Sequence, residues 1–210
     1  MNMVFGNRYI LIFLLFYSVA SSQKRVEKVL NFEAAQIIEV NAENCFRLDV
    51  NTHAENKIVI EAAVAGEYQN DLLVSIKELE NRLQIGADFQ PMFKDPNDKL
   101  SAHKVVSISM KIWLPENRQL KIRGNYTNTK ITGVYQDLQV QLNDGSCRLR
   151  QVAANVVVST LDGDIHISQI SGEVNATSRH GRIVQEKISS GNSQLLLKSI
   201  NGNIYIKKSE

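Results

Sequence analysis

Glycine recurs at a fixed interval through the second half of this chain. It stands in Asp144-Gly145, Asp162-Gly163, His180-Gly181 and Asn201-Gly202, with steps of 18, 18 and 21 residues. A period of this size marks an architecture in which each unit buries its apolar face only against its neighbours. With Thr127 as the degenerate first member, the positions seven before each anchor are Leu120, Leu138, Val156, Val174 and Leu195. Five before stand Ile122, Val140, Val158, Ala176 and Leu197, and the residues between are mostly polar. That is period-two alternation, the pattern of a strand with one buried face. Two after the anchor come Thr129, Cys147, Ile165, Ile183 and Ile204, and four after come Ile131, Leu149, Ile167, Gln185 and Ile206. Each unit therefore reads strand, tight turn, strand.

Two all-β architectures fit this pattern. Asp-Gly and Asn-Gly are strong hairpin signals, because both turn residues tolerate positive φ, and they favour an antiparallel meander or sandwich. Against that, Val134, Val152, Ile170 and Ile188, seven after each anchor, break the alternation and ask for a corner. The reading adopted is a single-stranded β-solenoid with rungs of about 18 residues, stacked about 4.8 Å apart, with the meander as alternative. Stacked in chain order, Asp144, Asp162 and His180 share one ladder, and Ser146, Asp164 and Arg182 share the next, so that Asp164 faces Arg182 across one rung. Gly163 and Gly181 are expected at positive φ, and Lys207-Lys208 is expected to cap the last rung against edge pairing.

Residues 1–22 read as a secretory signal peptide: Arg8, an apolar run from Tyr9 to Tyr17, then Ser18, Ala20, Ser21 and Ser22, with cleavage expected after Ala20 or Ser22. The run is about half the ~20 residues a membrane span requires, and nothing downstream is long or apolar enough to span. Residues 23–118 form a less regular β region, continuous with the repeat region 119–210 in one domain overall. In the first region Phe46, Leu48 and Val50 alternate, as do Ile58 and Ile60, and Val106, Ile108, Met110 and Ile112 run up to Pro115. Asp71–Ile85 has some helical spacing, but reads as two strands around Glu78–Asn81 because its surroundings are all β. Gln90–Ser101, with two prolines, reads as a loop.

A formal net charge of +2 over 210 residues, with no Lys/Arg run, argues against a nucleic-acid partner. Cys147 falls at an inward position and Cys45 is out of phase with Phe46, Leu48 and Val50, so the two are not expected to pair. His53, His103, His166 and His180 lack ligand spacing, and no metal or cofactor is expected. No phosphate loop or nucleophile elbow occurs. The sequons Asn125-Tyr-Thr and Asn175-Ala-Thr match a glycosylation pattern, and the outward positions of Asn175 and Thr177 suffice to explain the second.

The runs Val158-Ser-Thr-Leu-Asp-Gly-Asp-Ile-His-Ile-Ser-Gln-Ile-Ser-Gly172 and Val174-Asn-Ala-Thr-Ser-Arg-His-Gly-Arg-Ile183 resemble the repeating unit of the putative-adhesin family of exported bacterial proteins. The resemblance covers 119–206 well and 25–118 loosely. His180 departs from the commoner Asn or Asp, and residues 189–194 insert into the final unit. The resemblance implies a β-solenoid of bacterial origin with no established activity. Parallel β-helices also host polysaccharide-cleaving enzymes, and carboxylates one rung apart would lie near the ~5 Å of a retaining pair. Yet Asp before Gly is what a turn demands for conformational reasons alone, so no catalytic residue is assigned. The functional expectation is an exported, non-catalytic protein binding or scaffolding at the cell envelope, in the periplasm, at the surface or outside, with an envelope glycan or protein as partner. The alternatives are a carbohydrate-active enzyme using Asp162 and Asp164, or an accessory or sensor subunit of an envelope complex.

Overall fold

Alternating apolar residues become strands almost everywhere the chain is described. The computed structural model describes residues 24–31, 36–65, 72–89 and 107–208. The expectations for residues 1–22, for His103, for Val106 and for Gln90–Ser101 lie outside them. Upstream of the repeat are β1 (Lys24–Leu30), β2 (Ile37–Asn41), β3 (Arg47–His53), β4 (Ile58–Ala65), β5 (Leu72–Leu79), β6 (Arg82–Phe89), β7 (Ser107–Pro115) and β8 (Arg118–Tyr126). The repeat continues with β9 (Asn128–Asp144), β10 (Cys147–Thr160), β11 (Ile165–Ser168), β12 (Glu173–Ser178), β13 (Ile183–Gln185), β14 (Gln194–Ser199) and β15 (Ile204–Lys207). Among the described residues there is no helix, and so none long and apolar enough to cross a membrane.

The strands form one mixed sheet that divides into two runs sharing β9 and β10. One run is β1-β4-β7-β3-β9-β10-β11-β15-β13; the other is β5-β6-β2-β8-β9-β10-β14-β12. Their inward side chains make a single apolar cluster. Antiparallel pairing joins β1 to β4, β4 to β7 and β5 to β6. In the repeat half every described pair is parallel, so the Asp-Gly turns do not close hairpin ladders. The sequence reading of 71–85 as two strands holds: Ile76 lies opposite Ile85, and Glu80 and Asn81 make the turn.

The corner inferred from Val134, Val152, Ile170 and Ile188 is present at the first three and lacks its left-handed residue at Ile188, where Lys187 has no positive φ. The residue before each of the first three, Gly133, Gln151 and Gln169, has a left-handed backbone with φ of 124°, 52° and 55°. Each such residue turns the chain at the same point of the unit. Pairing of β9 with β10 shifts register there.

The order of the units is the principal correction. Side by side across the sheet stand Leu120, Leu138, Val156, Leu195 and then Val174. After the turn the order is Thr129, Cys147, Ile165, Ile204 and then Ile183. The last unit in sequence is therefore inserted between its two predecessors. Apolar content explains the exchange. Leu195, Leu197, Ile204 and Ile206 are buried completely or nearly so. Val174 and Ala176, half-buried, and Ile183 and Gln185, exposed, form the weaker set, which loses least at the open end. Lys207-Lys208 consequently does not cap the stack: β13 lies outside β15, and the Lys208 amide donates to Glu186 Oε2 at 2.9 Å.

The turn glycines need a different explanation from the one the dipeptides suggest. Gly145 has φ of 89°, whereas Gly163, Gly181 and Gly202 are not among the positive-φ glycines. Close backbone approach demands them instead. A Cβ on Gly163 would overlap the carbonyl oxygen of Gly145, one on Gly202 that of Gly163, and one on Gly181 that of Gly202. A Cβ on Gly145 would overlap the carbonyl of Thr127, which confirms Thr127 as the first member of the column. Thr127 tolerates its side chain because its hydroxyl reaches the carbonyls of Ala42 (2.7 Å) and Cys45 (2.8 Å).

Two further expectations change in the upstream half. Leu48 and Val50 are buried, but Phe46 is 48% exposed, because the strand begins only at Arg47. Cys45, out of phase with that strand, is nevertheless buried in the turn before it. Both cysteines are free, and they lie on opposite sides of the strand that carries Thr129.

Candidate functional site

The acidic and basic residues that flank the repeat glycines lie at or beside the turns. Asp144 is engaged within its own turn, and Ser146, Asp162, Asp164 and His180 are engaged by neighbouring units. Asp144 accepts from the Gly145 amide at 2.6 Å. Asp162 accepts from Asn201 Nδ2 at 2.5 Å, and Asn201 Oδ1 lies 2.8 Å from His180 Nδ1. Asp164 accepts from the amide and the side chain of Asn203 at 2.7 and 3.1 Å, and Asn203 Oδ1 in turn accepts from the Arg182 amide at 2.9 Å. Ser146 donates through its amide and hydroxyl to Asn128 at 3.0 and 2.8 Å. The expected contact of Asp164 with Arg182 is therefore absent, because the inserted unit places Asn203 between them. Asn201 separates Asp162 from His180 in the same way.

A second column, missed by sequence reasoning, runs inside the turns. Thr160 donates to the Gly163 carbonyl at 2.6 Å and lies 2.9 Å from the Ser199 hydroxyl. Ser199 accepts from the Gly202 amide at 2.9 Å, while Ser178 donates to the Gly202 carbonyl at 2.8 Å and accepts from the Gly181 amide at 3.0 Å. The signal was available: each hydroxyl stands three residues before its glycine. These bonds satisfy turn groups that would otherwise be buried unpaired.

The chemistry-bearing concavity lies elsewhere, on the outer face of the upstream strands. Lys77, Gln84, Glu39 and Lys121 stand side by side on β5, β6, β2 and β8. The adjacent row is Ser75, Gly86, Asn41 and Arg123. Gly86 leaves a hollow in this face, with a volume of about 230 Å³. A Cβ there would stand 3.2 Å from Ser75 Oγ and 3.7 Å from Asn41. Glu39, half-buried on the floor, accepts from Gln84 Nε2 at 3.2 Å and pairs with Arg82 at 3.5 Å. Lys77, Lys121 and Arg123 have no ion-pair partner among the described residues. Cations, amides and one held carboxylate suit a hydroxyl-bearing, anionic ligand. Sequence reasoning could not assemble this site, because β6 meets β2 across a separation of 45 residues.

No thiol takes part. Burial pushes the thiols of Cys45 and Cys147 up to about 12, and a buried thiol that stays protonated is a poor nucleophile. Burial also raises the Tyr135 phenol, whose hydroxyl donates to the Thr132 carbonyl at 2.9 Å and braces the corner after Gly133. Among the described residues no three His, Cys, Asp or Glu side chains gather where they could hold a metal ion.

Neither a known family nor a curated protein matches the chain by sequence. Solved structures do match. A "putative cell adhesion protein" from Clostridium sporogenes aligns over 90% of this chain and 100% of its own, at 14% identity and a TM-score of 0.64. A "putative adhesin" from Bacteroides fragilis covers 90% and 99% at 14% identity, with a TM-score of 0.39. Another from Parabacteroides distasonis covers 89% and 98% at 12% identity, with a TM-score of 0.34. The Clostridium structure shares the fold of this chain.

Proposed function

We propose that this chain is an exported, adhesin-like β-solenoid that binds or scaffolds at the cell envelope and carries out no catalysis. Parallel pairing of residues 18 apart, from Leu120 through Leu138 to Val156, supports a solenoid course, and so does the corner repeated at Gly133, Gln151 and Gln169. The shared fold with the "putative cell adhesion protein" of Clostridium sporogenes supports the adhesive role. One observation carries the non-catalytic reading: Asp162 and Asp164, the carboxylates an enzyme would use, are each held by an asparagine side chain of the inserted unit. A carboxylate so held, on a turn between units, has its acceptor oxygen occupied by a neighbouring amide instead of facing a substrate proton. Binding is assigned to the hollow between Lys77 and Arg123.

A glycan array and an assay for released reducing sugar, run on the same purified protein, test this reading. Binding without release is expected. Lys121→Gln with Arg123→Gln should weaken binding in the hollow, and Asp162→Asn should leave it intact. Sugar release that disappears in Asp162→Asn or Asp164→Asn would establish the enzyme instead.

A further inference from the structure

A second surface, on the other run of the sheet, carries charge that no ion pair among the described residues neutralises. Lys130, Arg148, His166, Tyr205 and Val184 stand side by side on β9, β10, β11, β15 and β13. Arg150, Ser168 and Lys207 form the row beside them. The neighbouring carboxylates are already engaged. Asp49, opposite Lys130, is paired with Arg47 at 3.0 Å, and Asp164 is held by Asn203. Lys130 and Arg148 lie directly opposite each other, an arrangement of like charges that destabilises a sheet unless an anion offsets it.

The two arginines are also positioned in advance. Arg148 Nη1 donates to Ser146 Oγ at 2.9 Å, and Arg150 Nε donates to Gln169 Oε1 at 2.8 Å. Each bond engages one of the five donors of a guanidinium, which fixes the group and leaves its remaining donors available. Beside them the rings of His166 and Tyr205 stack with centroids 4.9 Å apart and planes 12° from parallel. His166 is held below its ordinary value by burial first and then by the charges of Arg148 and Lys207, against the opposing pull of Asp164.

We infer that the outer face of β9, β10, β11 and β15 binds an acidic polysaccharide, with Lys130, Arg148, Arg150 and Lys207 taking the anionic groups and the His166–Tyr205 pair supporting the sugar rings. The strand spacing of about 4.8 Å is close to the length of one pyranose residue, so successive acidic sugars can meet successive cations. Nucleic acid fits less well: single strands are held by bases stacking on separate aromatic side chains, and here the two rings are stacked on each other. The inference rests on the adhesin-like reading for its class of partner, but it places binding away from the hollow at Gly86.

The test titrates the full chain with polygalacturonate, dextran sulfate, neutral dextran and poly-dT, which separates carboxylate from sulfate ester and both from nucleic acid. At least one acidic polysaccharide should bind, neutral dextran should not, and added salt should weaken binding. Arg148→Gln with Arg150→Gln, both at exposed positions, should weaken it about tenfold or more, as expected for losing two charge-assisted contacts, with an unchanged circular dichroism spectrum. Lys121→Gln with Arg123→Gln, run beside it, removes only the share of binding that belongs to the hollow, and Lys198→Gln, exposed on β14 outside both surfaces, should leave this titration unaltered. Wild-type affinity in the Arg148/Arg150 variant would overturn the inference, as would tighter binding of poly-dT than of either acidic polysaccharide. If only the Lys121/Arg123 variant loses binding, the adhesin-like reading survives and this site falls. No binding to any glycan overturns both.

Discussion

The units 173–185 and 194–207 are built to the same pattern, and the structure treats them oppositely. Both carry apolar residues seven and five before a glycine and a strand after it, yet the later one occupies the interior place. Ile204 and Ile206 are fully buried, whereas their counterpart Ile183 is 41% exposed and Gln185 is exposed. The lesson is that a repeat fixes how a unit pairs but not which unit it pairs with. Where two units compete for one place, the apolar area each can bury decides, and chain order yields. The three extra residues in the last interval lie in the connection that carries the chain past β12.

The same exchange determines what the turns can do chemically. In chain order, two acidic turns would abut His180 and Arg182 and form a mixed-charge cluster. The inserted unit interposes Asn201 and Asn203, and the cluster becomes a series of amide hydrogen bonds.

The glycines should separate the interior unit from the end unit most strongly. Gly163→Ala should cost about 3 kcal/mol or more, because the added Cβ meets backbone on an interior unit that cannot move away. Gly163→Asn should be no milder, since the obstacle is the Cβ and not the φ angle. Gly181→Ala meets the Gly202 carbonyl in the same way, but its unit lies at the open end and can yield, so the loss should be distinctly smaller. Equal losses in urea unfolding would contradict the assignment of interior and end.

The apolar positions offer a gentler probe. Ile204→Ala should cost about 3 kcal/mol, as for a fully buried aliphatic residue, and Ile183→Ala less than about 1 kcal/mol. A thermal melt of each variant is sufficient, and a reversed ranking would show that 173–185 is the interior unit.

The smallest effect concerns protons. His166 is depressed below its ordinary value of 6.5 by burial and by Arg148 and Lys207. Its folded state therefore binds fewer protons than its unfolded state, so its contribution to stability falls as pH drops through about 6.5 toward the folded value. The difference in stability between wild type and His166→Gln should shift against wild type over that window and be flat above it. No pH dependence in the difference would mean that neither burial nor the charges of Arg148 and Lys207 hold the ring below its ordinary value.

Much of the fold was legible in the sequence because alternation and spacing are local. The inward positions Leu138, Val140, Val156, Val158, Ile165 and Ile167 are all buried, and the corner was marked by the apolar residue after Gly133, Gln151 and Gln169. What was not legible depends on contacts between distant segments. The pairing of Val156 with Leu195 spans 39 residues where the repeat suggests 18, and nothing local distinguishes the two. Gly163 looked like a positive-φ turn residue because Asp-Gly has that local meaning, whereas its actual constraint is the backbone of another unit. The hollow at Gly86 needs four strands that are scattered along the chain, so no motif marks it. Cys45 was misplaced because its burial comes from a turn rather than from the strand whose phase was read.

Disulfide trapping tests the exchanged order most directly. Val157 and Leu196 are cross-strand neighbours, and Asn175 lies on the far side of Leu196. Neighbouring strands about 4.8 Å apart fall within the span a disulfide can bridge, whereas two spacings exceed its limit of about 7 Å. Val157→Cys with Leu196→Cys should form an intramolecular disulfide on mild oxidation, and Val157→Cys with Asn175→Cys should not. The opposite outcome, with 157 trapped to 175, would restore chain order, bring Asp164 back beside Arg182, and contradict the separation of charges on which the functional reading stands.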